Sequence, residues 1–297
     1  MLPFTLRQLE IFREIARQGG VTPAAAHLRL TQSAASMALA ELERALGRRL
    51  FNRAGRVMTL NDEGRRLLAQ ADAVLDAADD IACSPGGDAG PLRGKITLGC
   101  STTIAGYILP PRLAPFLKDH PGIEPELRAA NTEGVLRLVH RGEVDIGLVE
   151  GEVDAHGLET RDWLPDEIVA VCAPDDPLAN RRSVTAKALA KRRWLMREGG
   201  SGTYDTVMEE LGRRGERPSD TRVFGDTEAI KGAVRAGLGL AWLSAAAVAE
   251  ELAGGRLARV HAPFTIRRRF RILLLPARRR SALIHATLAW LEAEAAG

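Results

Sequence analysis

Apolar residues near the start of the chain recur at helical spacing and predict three short helices. The first helix is indicated by apolar positions three and four apart, followed by a glycine pair: Leu6, Leu9, Phe12, Ile15, Ala16, Gly19 and Gly20. In the second, Thr22 is expected to be the N-cap and Pro23 the first helical residue. The third is expected to begin after Thr31 and to end at Gly47. Its expected buried residues are Ala35, Leu39, Leu42 and Leu46.

The exposed face of the third helix is small and polar, which is typical of a helix that enters a DNA major groove. Its candidate DNA-contacting residues are Thr31, Gln32, Ser33, Ser36 and Met37. The next segment, RRLFNRAGRVMTL, predicts a hairpin with Arg53 and Arg56 at its tip, where a wing would contact phosphates. Residues 1–61 are therefore predicted to form a winged helix-turn-helix. The alternative is a plain three-helix bundle with a solvated arginine loop.

Between Asp62 and Ala82, apolar residues are spaced alternately by four and three positions, the period of a coiled-coil seam. The seam residues are Leu67, Ala71, Val74, Ala78 and Ile81. We expect a long linker helix that mediates dimerisation, because groove-reading helices generally work in pairs. The alternative is an amphipathic helix that packs on its own domain. The segment CSPGGDAGPLRG then predicts a hinge, so residues 62–90 are assigned to the linker helix and hinge.

From Lys95 onward, apolar strands alternate with amphipathic helices, which predicts a parallel sheet with helices on both faces. The alternation occurs in two sets and predicts an α/β body of two lobes over residues 91–297. We place lobe I at about 91–165 and 268–297, and lobe II at about 166–267.

Charge separates the N-terminal module from the body. Residues 1–66 contain eleven arginines, no lysine and six acidic residues, a net charge of +5, whereas the whole chain of 297 residues carries +3. A basic module on a mildly acidic body indicates that the module alone binds a polyanion, namely double-stranded DNA. The chain begins without the apolar core of a signal peptide, and its longest apolar run is too short for a membrane span. We therefore expect a cytoplasmic protein without membrane contact.

The three cysteines, Cys83, Cys100 and Cys172, are widely separated and form no CxxC pair. Neither a metal site nor a disulfide framework is expected, and nothing in the sequence calls for a cofactor. Cys172 is expected to be a buried thiol in a strand.

Small polar residues follow four predicted strands, at the points where helices begin. Ligands of open α/β sheets bind at these strand ends. The candidate effector-binding residues are Ser101, Thr102, Thr103, Asn131, Thr132, Ser201, Gly202, Thr203 and Thr227. Hydroxyls and helix N-termini together favour a small oxyanion or a carboxylate, although each residue alone is also explained as a helix cap. Glu150 is expected at the cleft edge, and the arginine run 267–269 is expected to be solvated.

The segments TQSAAS and LGRRLFNRAGR resemble the N-terminal domain of LysR-type transcriptional regulators. The resemblance covers essentially the whole chain. The body is similar to the family's effector domain, most of all to the branch linked to sulfur assimilation and related inorganic-nutrient control, in STTIAGYILP, NTEGVLRLVHRGEVDIGLVEG, REGGSGT and TEAIKGAVRAGLGLAWLS. The resemblance implies a periplasmic-binding-protein-like effector domain, assembly as a homodimer or homotetramer, and no catalytic residues.

Two positions depart from that branch of the family. Tyr204 stands where the branch often has arginine, and Cys100 where it often has serine. Arg197 or Lys231 is expected to supply the missing positive charge. The alternative function is an enzyme or a transport-type solute-binding protein built on the C-terminal lobes. An enzyme would need a base beside the hydroxyls, and no histidine accompanies them in the sequence.

Overall fold

The computed structural model describes residues 2–52, 58–83, 92–276 and 282–296 of the chain. The backbone divides into two compact units. The first comprises Met1–Arg93 and Pro276–Ala286, and the second comprises Gly94–Leu275 and Thr287–Gly297. In these described ranges, every helix is either too short or too polar to cross a lipid bilayer.

The N-terminal residues form helices and a small antiparallel hairpin. In chain order the elements are α1 (Leu6–Gln18), α2 (Val21–His27), α3 (Gln32–Leu46), β1 (Phe51–Asn52), β2 (Thr59–Leu60) and α4 (Asp62–Cys83). The Thr31 hydroxyl accepts a hydrogen bond from the Ala34 backbone N–H at 3.2 Å and so caps α3. Gly47 ends the helix with a left-handed backbone, φ 67°. The predicted bounds of the third helix are thus confirmed.

The second helix begins earlier than the sequence predicts. Its N-cap is Gly20, its first residue is Val21, and Thr22 is therefore inside the helix. Pro23 becomes the third helical residue. The reason is that all N–H groups of the first turn lack an intrahelical partner, so proline is tolerated at any of these positions.

A single apolar core holds the N-terminal helices together. Buried residues from α1 and α3 include Leu9, Phe12, Ile15, Ala35, Leu39 and Leu42. The Phe12 and Phe51 rings meet edge to face at 5.7 Å, which joins α1 to the hairpin. Two apolar positions of the predicted helices are less buried than expected: Leu6 is 48% exposed, and Leu46 packs against this core but is only partly buried.

Helix α4 packs on this same core. Ala71 is 1% exposed and Leu75 is 7% exposed, and both belong to the apolar cluster formed with α1 and α3. The buried Asp72 accepts a hydrogen bond from Arg17 of α1 at 3.2 Å. Val74, by contrast, is 46% exposed. The predicted seam is therefore divided between two faces, because Ala71 points into its own domain and Val74 points away from it.

Replacing Ala71 by glutamate should lower the free energy of unfolding of the N-terminal unit by about 3 kcal/mol or more, because a carboxylate would enter a close-packed apolar core. The matched variant Gln70→Glu puts the same charge on an exposed position of α4 outside the apolar seam and should change stability by no more than about 0.5 kcal/mol. Urea denaturation of the full chain, followed by circular dichroism, measures both. Equal losses in the two variants would contradict this packing of α4.

The second unit is built on one mixed sheet. Its strands are β3 (Arg93–Ser101), β4 (Gly122–Ala130), β5 (Ile146–Glu150), β6 (Glu159–Cys172), β7 (Arg193–Met196), β8 (Asp220–Val223), β9 (Leu240–Ser244), β10 (Ala258–Val260) and β11 (Ile266–Leu274). Its helices are α5 (Leu109–Asp119), α6 (Thr132–His140), α7 (Ala186–Ala190), α8 (Gly202–Arg213), α9 (Thr227–Arg235), α10 (Ala245–Ala253) and α11 (Ala282–Ala296), the last of which is shared with the first unit. A π-helical turn, Ile104–Ile108, precedes α5.

The strand order is β4-β3-β5-β11-β6-β9-β7-β8, with β10 paired to β6. One lobe carries β4, β3 and β5, and the other carries β9, β7 and β8. The prediction of two lobes is confirmed, but the prediction of a parallel sheet is wrong for the strands that cross between the lobes. Strands β3 and β5 are parallel, as are β7 and its two neighbours, whereas β11 is antiparallel to both β5 and β6. The reason is that the chain crosses between the lobes along β6 and returns along β11, so the two crossing strands run in opposite directions.

Candidate functional site

The predicted DNA-contacting residues of α3 lie on its exposed face. All five are exposed, and Met37 has 62% of its surface accessible. Ala35 and Leu39 are buried on the opposite face, which fixes the direction in which the exposed residues point. The Thr31 and Ser33 hydroxyls are hydrogen-bonded to each other at 3.1 Å. Arg53 and Arg56 lie outside the described residues. DNA contact by these seven residues therefore remains a prediction.

The predicted effector-binding residues all lie where strands end and helices begin. Ser101 ends β3, and Thr102 and Thr103 follow it. Asn131 caps α6 by accepting a hydrogen bond from the Gly134 N–H, and Thr132 is the first residue of that helix. Ser201 precedes α8, which begins with Gly202 and Thr203. Thr227 is the first residue of α9, whose N-cap is Asp226.

The structure divides these residues between two hydrogen-bond networks. The first, which we call the Arg268 network, consists of Arg268, Glu150, Asp166, Ser101, Thr103, Thr203 and Ser244. The second, which we call the interlobe site, consists of Arg197, Glu198, Thr102, Asn131 and Thr227.

The centre of the Arg268 network is the carboxylate of Glu150. It accepts hydrogen bonds from Arg268 Nη1 at 2.6 Å, from the Ser101 hydroxyl at 2.7 Å and from the Thr203 hydroxyl at 2.9 Å. Although burial alone would raise the pKa of Glu150, the Arg268 charge and the hydroxyl donors, Thr103 among them, hold it below its ordinary value. Glu150 is only 2% exposed. The expectation that it lies at the edge of the cleft is therefore wrong.

Arg268 links the two crossing strands. Its Nε donates to Asp166 of β6 at 2.7 Å, and the Ser244 hydroxyl donates to the same carboxylate at 2.7 Å. Burial raises the pKa of Asp166 despite these donors. The expectation that residues 267–269 form a solvated run is wrong for Arg268, whose side chain is 1% exposed. The cause is strand alternation, which places Arg268 on the same buried face as Ile266 and Phe270.

The interlobe site is organised around the guanidinium of Arg197, whose side chain is 3% exposed. Nη1 donates to the Thr102 hydroxyl of lobe I at 2.7 Å and to the Thr227 hydroxyl of lobe II at 3.3 Å. Nε and Nη2 donate to the two carboxylate oxygens of Glu198, both at 2.9 Å. Asn131 of lobe I also donates to Glu198, at 3.2 Å.

The two networks differ in the number of hydroxyl protons that they leave available to a ligand. Ser101, Thr103 and Thr203 donate to Glu150, so their protons are not available to an anion. Thr102 and Thr227 accept from Arg197, so their own hydroxyl protons remain available. Gly202 has a packing role, because a Cβ there would lie 2.3 Å from the Glu150 carbonyl oxygen.

The sequence offers Arg197 and Lys231 as alternative sources of the missing positive charge, and the structure distinguishes between them. Lys231 is 4% exposed, forms ion pairs with Glu228 at 2.7 Å and Glu251 at 3.0 Å, and donates to the Ala247 carbonyl. Its charge is therefore already compensated. Tyr204 packs against the apolar core of lobe II.

Both described cysteines are buried, as free thiols. Burial raises the pKa of Cys100 to about 12 and that of Cys172 to about 11, so both thiols are protonated at neutral pH. Glu198 was missed by the sequence reasoning. The signal was present in REGGSGT, where an acid directly follows the arginine, but neighbouring residues of a strand end do not predict a bidentate contact.

A two-lobed α/β body joined to a helix-turn-helix module is the architecture of a ligand-responsive DNA-binding protein. The description "LysR substrate binding domain" matches residues 89–296, and "Bacterial regulatory helix-turn-helix protein, lysR family" matches residues 6–65. The chain therefore belongs to the LysR family of bacterial transcriptional regulators, which is not a family of enzymes.

Three known proteins illustrate the similarity. The chain is 39% identical to the transcriptional regulator YeiE of Escherichia coli K12 over 259 residues, which cover 87% of each protein. A full-length OxyR of Pseudomonas aeruginosa has the same fold, with a TM-score of 0.79 at 21% identity, covering 98% of this chain and 94% of OxyR. The CcmR regulatory domain of Synechocystis, solved in complex with 2-PG, gives a TM-score of 0.62 at 29% identity and covers 68% of this chain and 98% of that domain.

Replacing Glu150 by glutamine should lower the free energy of unfolding by about 3 kcal/mol at neutral pH, because Arg268 would lose its closest buried counter-charge. The pKa of Glu150 is lower in the folded protein than its ordinary value of 4.5. Its stabilising contribution is therefore complete above that value and is lost as the pH falls through the folded pKa. The difference between wild type and Glu150→Gln should accordingly shrink in acid.

Denaturant unfolding at neutral and acidic pH measures this difference. Glu152→Gln is the matched control, since Glu152 is 79% exposed and pairs with Arg271 at the surface. A loss of stability in Glu150→Gln that is no larger than in Glu152→Gln would contradict the assigned role of Glu150.

Proposed function

We propose that this LysR-family regulator binds a small oxyanion at the interlobe site and that binding changes how the protein engages DNA. The observation that carries the proposal is the position of the buried Arg197 guanidinium between Thr102 of one lobe and Thr227 of the other. Arginine is the side chain best suited to bidentate recognition of an oxyanion. A ligand held by these groups would contact both lobes and favour one arrangement of the lobes over another.

Helix N-termini add to this favourable environment for an anion. Thr132 begins α6, Ser201 precedes α8 and Thr227 begins α9. The first N–H groups of a helix and its dipole both favour negative charge. The Thr132 hydroxyl is buried and, among the described residues, has no hydrogen-bond partner. A bound oxyanion would provide an acceptor for it.

The nine candidate residues then fall into two groups. The proposed ligand contacts are Thr102, Asn131, Thr132, Ser201 and Thr227. The proposed supporting residues are Ser101, Thr103, Gly202 and Thr203. They orient the strand ends and helix starts through their contacts with Glu150.

Sulfite and sulfate are the first effectors to test. The sequence segments around Thr102, Asn131, Arg197 and Thr227 resemble those of the sulfur-assimilation branch of the family, and this resemblance supports the choice. The CcmR domain solved with 2-PG supports a small-molecule effector for this fold. A short carboxylate is the alternative ligand of the same chemistry.

For the N-terminal module we propose that α3 reads bases through Gln32, Ser33, Ser36 and Met37, with Thr31 at the helix start and Arg53 and Arg56 on phosphates. In this scheme residues 1–61 bind DNA, residues 62–90 connect and dimerise, and residues 91–297 bind the effector. Val74 lies on the exposed face of α4 that a partner helix would cover in a homodimer, from which a homotetramer would be built. The proposed partner is double-stranded DNA, and the proposed location is the cytoplasm.

Replacing Gln32 by alanine should weaken binding to the specific site by about 1 to 3 kcal/mol and leave non-specific binding unchanged, because a base contact specifies sequence and phosphate contacts do not. Competition titration with specific and random duplexes measures the ratio. Gln70→Ala, which removes an exposed glutamine from α4, is the control. An equal loss on both duplexes would show that Gln32 does not read bases.

Replacing Thr102 by valine should weaken binding of the oxyanion by about 1.5 to 3 kcal/mol, the range for a hydrogen bond to a charged group. DNA affinity without ligand should be unaffected. Calorimetric titration of the full chain with sulfite, sulfate, phosphate, acetate and neutral glucose measures the affinities. Thr221→Val removes an exposed hydroxyl from β8 and is the control.

The anion proposal has a clear contrary result. If glucose bound more tightly than every anion, or if no anion bound in the millimolar range, the interlobe site would not be an oxyanion site.

A further inference from the structure

The guanidinium of Arg197 is already occupied by an acid of the same chain. Its Nε and Nη2 each lie 2.9 Å from one carboxylate oxygen of Glu198. Two parallel N–H···O bonds of this kind are the arrangement in which arginine binds a free carboxylate or oxyanion. We call the pair of donors Nε and Nη2 the fork of Arg197. Glu198 therefore has the position and charge that a small anionic ligand would have at this fork.

The two side chains differ in their access to solvent. The Arg197 side chain is 3% exposed, whereas that of Glu198 is 30% exposed. The guanidinium is thus fixed inside the protein, and its carboxylate partner is at the opening. A carboxylate that is one-third in water can leave the fork and be hydrated, whereas the buried guanidinium cannot follow it without losing its hydrogen bonds to Thr102 and Thr227.

The charge of Glu198 persists at neutral pH. Burial tends to raise the pKa of Glu198, but the hydrogen bonds and the charge of Arg197, together with Asn131, hold it below its ordinary value. Other acids lie close by. Burial raises the pKa of Asp205, with smaller contributions from Glu133 and Glu198. An incoming anion would therefore meet negative charge unless Glu198 moved away from Arg197.

We infer that Glu198 is an internal competitor that occupies the anion-binding fork of Arg197 and that a soluble oxyanion binds by displacing it. This inference rests on the proposed function of the interlobe site as an oxyanion site. Glu198 then sets the concentration of anion needed for binding, because each binding event must first break its two hydrogen bonds to Arg197.

Displacement also has a structural consequence. Asn131, at the start of α6 in lobe I, donates to Glu198 of lobe II at 3.2 Å. Release of Glu198 from the fork breaks this contact between the lobes and frees the Asn131 amide to donate to the ligand. The exchange of one carboxylate for another anion would in this way be coupled to the contacts between the lobes.

Three substitutions in the full chain separate the occupancy of the fork from the general effect of charge. Glu198→Gln keeps the size of the side chain and removes its charge. Glu198→Asp keeps the charge but is one methylene too short to reach both nitrogens. Glu133→Gln removes the same charge from a neighbouring residue that is 63% exposed and pairs with Arg137, and it leaves the fork untouched.

Calorimetric titration with sulfite and sulfate is expected to show binding about tenfold tighter in Glu198→Gln than in wild type, since a hydrogen bond to a charged group is worth at least that factor. Glu198→Asp should also bind more tightly than wild type, and Glu133→Gln should bind as wild type does. A crystal structure of the wild type with sulfate should show the Glu198 carboxylate away from Arg197.

The contrary results differ from those of the proposed function. Equal affinity for anions in wild type, Glu198→Gln and Glu198→Asp would overturn the competitor role and leave the oxyanion site intact. Weaker binding in Glu198→Gln would also overturn it, and would make Glu198 a direct contact for a ligand that donates hydrogen bonds. Absence of anion binding in wild type and in every variant would refute the oxyanion site itself and, with it, the competitor.

Discussion

The arrangement of the second unit depends on the buried ion pair between Arg268 and Glu150. Arg268 belongs to the strand that returns between the lobes, and Glu150 ends a strand of lobe I. The same carboxylate accepts from Ser101 of lobe I and Thr203 of lobe II. Two desolvated charges are stable only when their hydrogen bonds are satisfied, so this pair constrains every element that supplies a donor. The hydrogen bonds of this ion pair therefore fix the end of β3 and the start of α8, which lie near the interlobe site.

A division of labour between two arginines follows from their partners. Arg268 faces Glu150 and Asp166, which are 2% and 4% exposed as side chains, so its charge is compensated inside the protein. Arg197 faces Glu198, which is 30% exposed and can exchange with solvent. A buried pair gives a fixed geometry, whereas a pair at an opening can be replaced by a ligand. Arg268 therefore supports the site, whereas Arg197 can exchange its partner for a bound anion.

Helix α4 packs with α1 and α3 in a common apolar core of the N-terminal unit. Because Ala71 and Leu75 complete the core of α1 and α3, the helix that follows the hairpin is part of the DNA-binding unit. The salt bridge between Arg17 and Asp72 joins α1 to the same helix. A movement of α4 would therefore move the helix-turn-helix with it. The opposite side of α4, which carries Val74, is exposed to solvent.

The sequence by itself determined most helices and strands and the caps of the third helix, although not the start of the second, because apolar period, N-cap residues and glycine act over a few residues. Thr31 and Gly47 are examples. It also brought the hydroxyls of four strand ends to one edge, since strand and helix alternation fixes that geometry. Which hydroxyls donate and which accept was decided only by tertiary structure. Arg268 is more than one hundred residues from Glu150 and Asp166 in sequence, and its burial depends on a strand that crosses between lobes. The direction of that strand, the division of the α4 seam and the pairing of Glu198 with Arg197 are all set by contacts that no local pattern encodes.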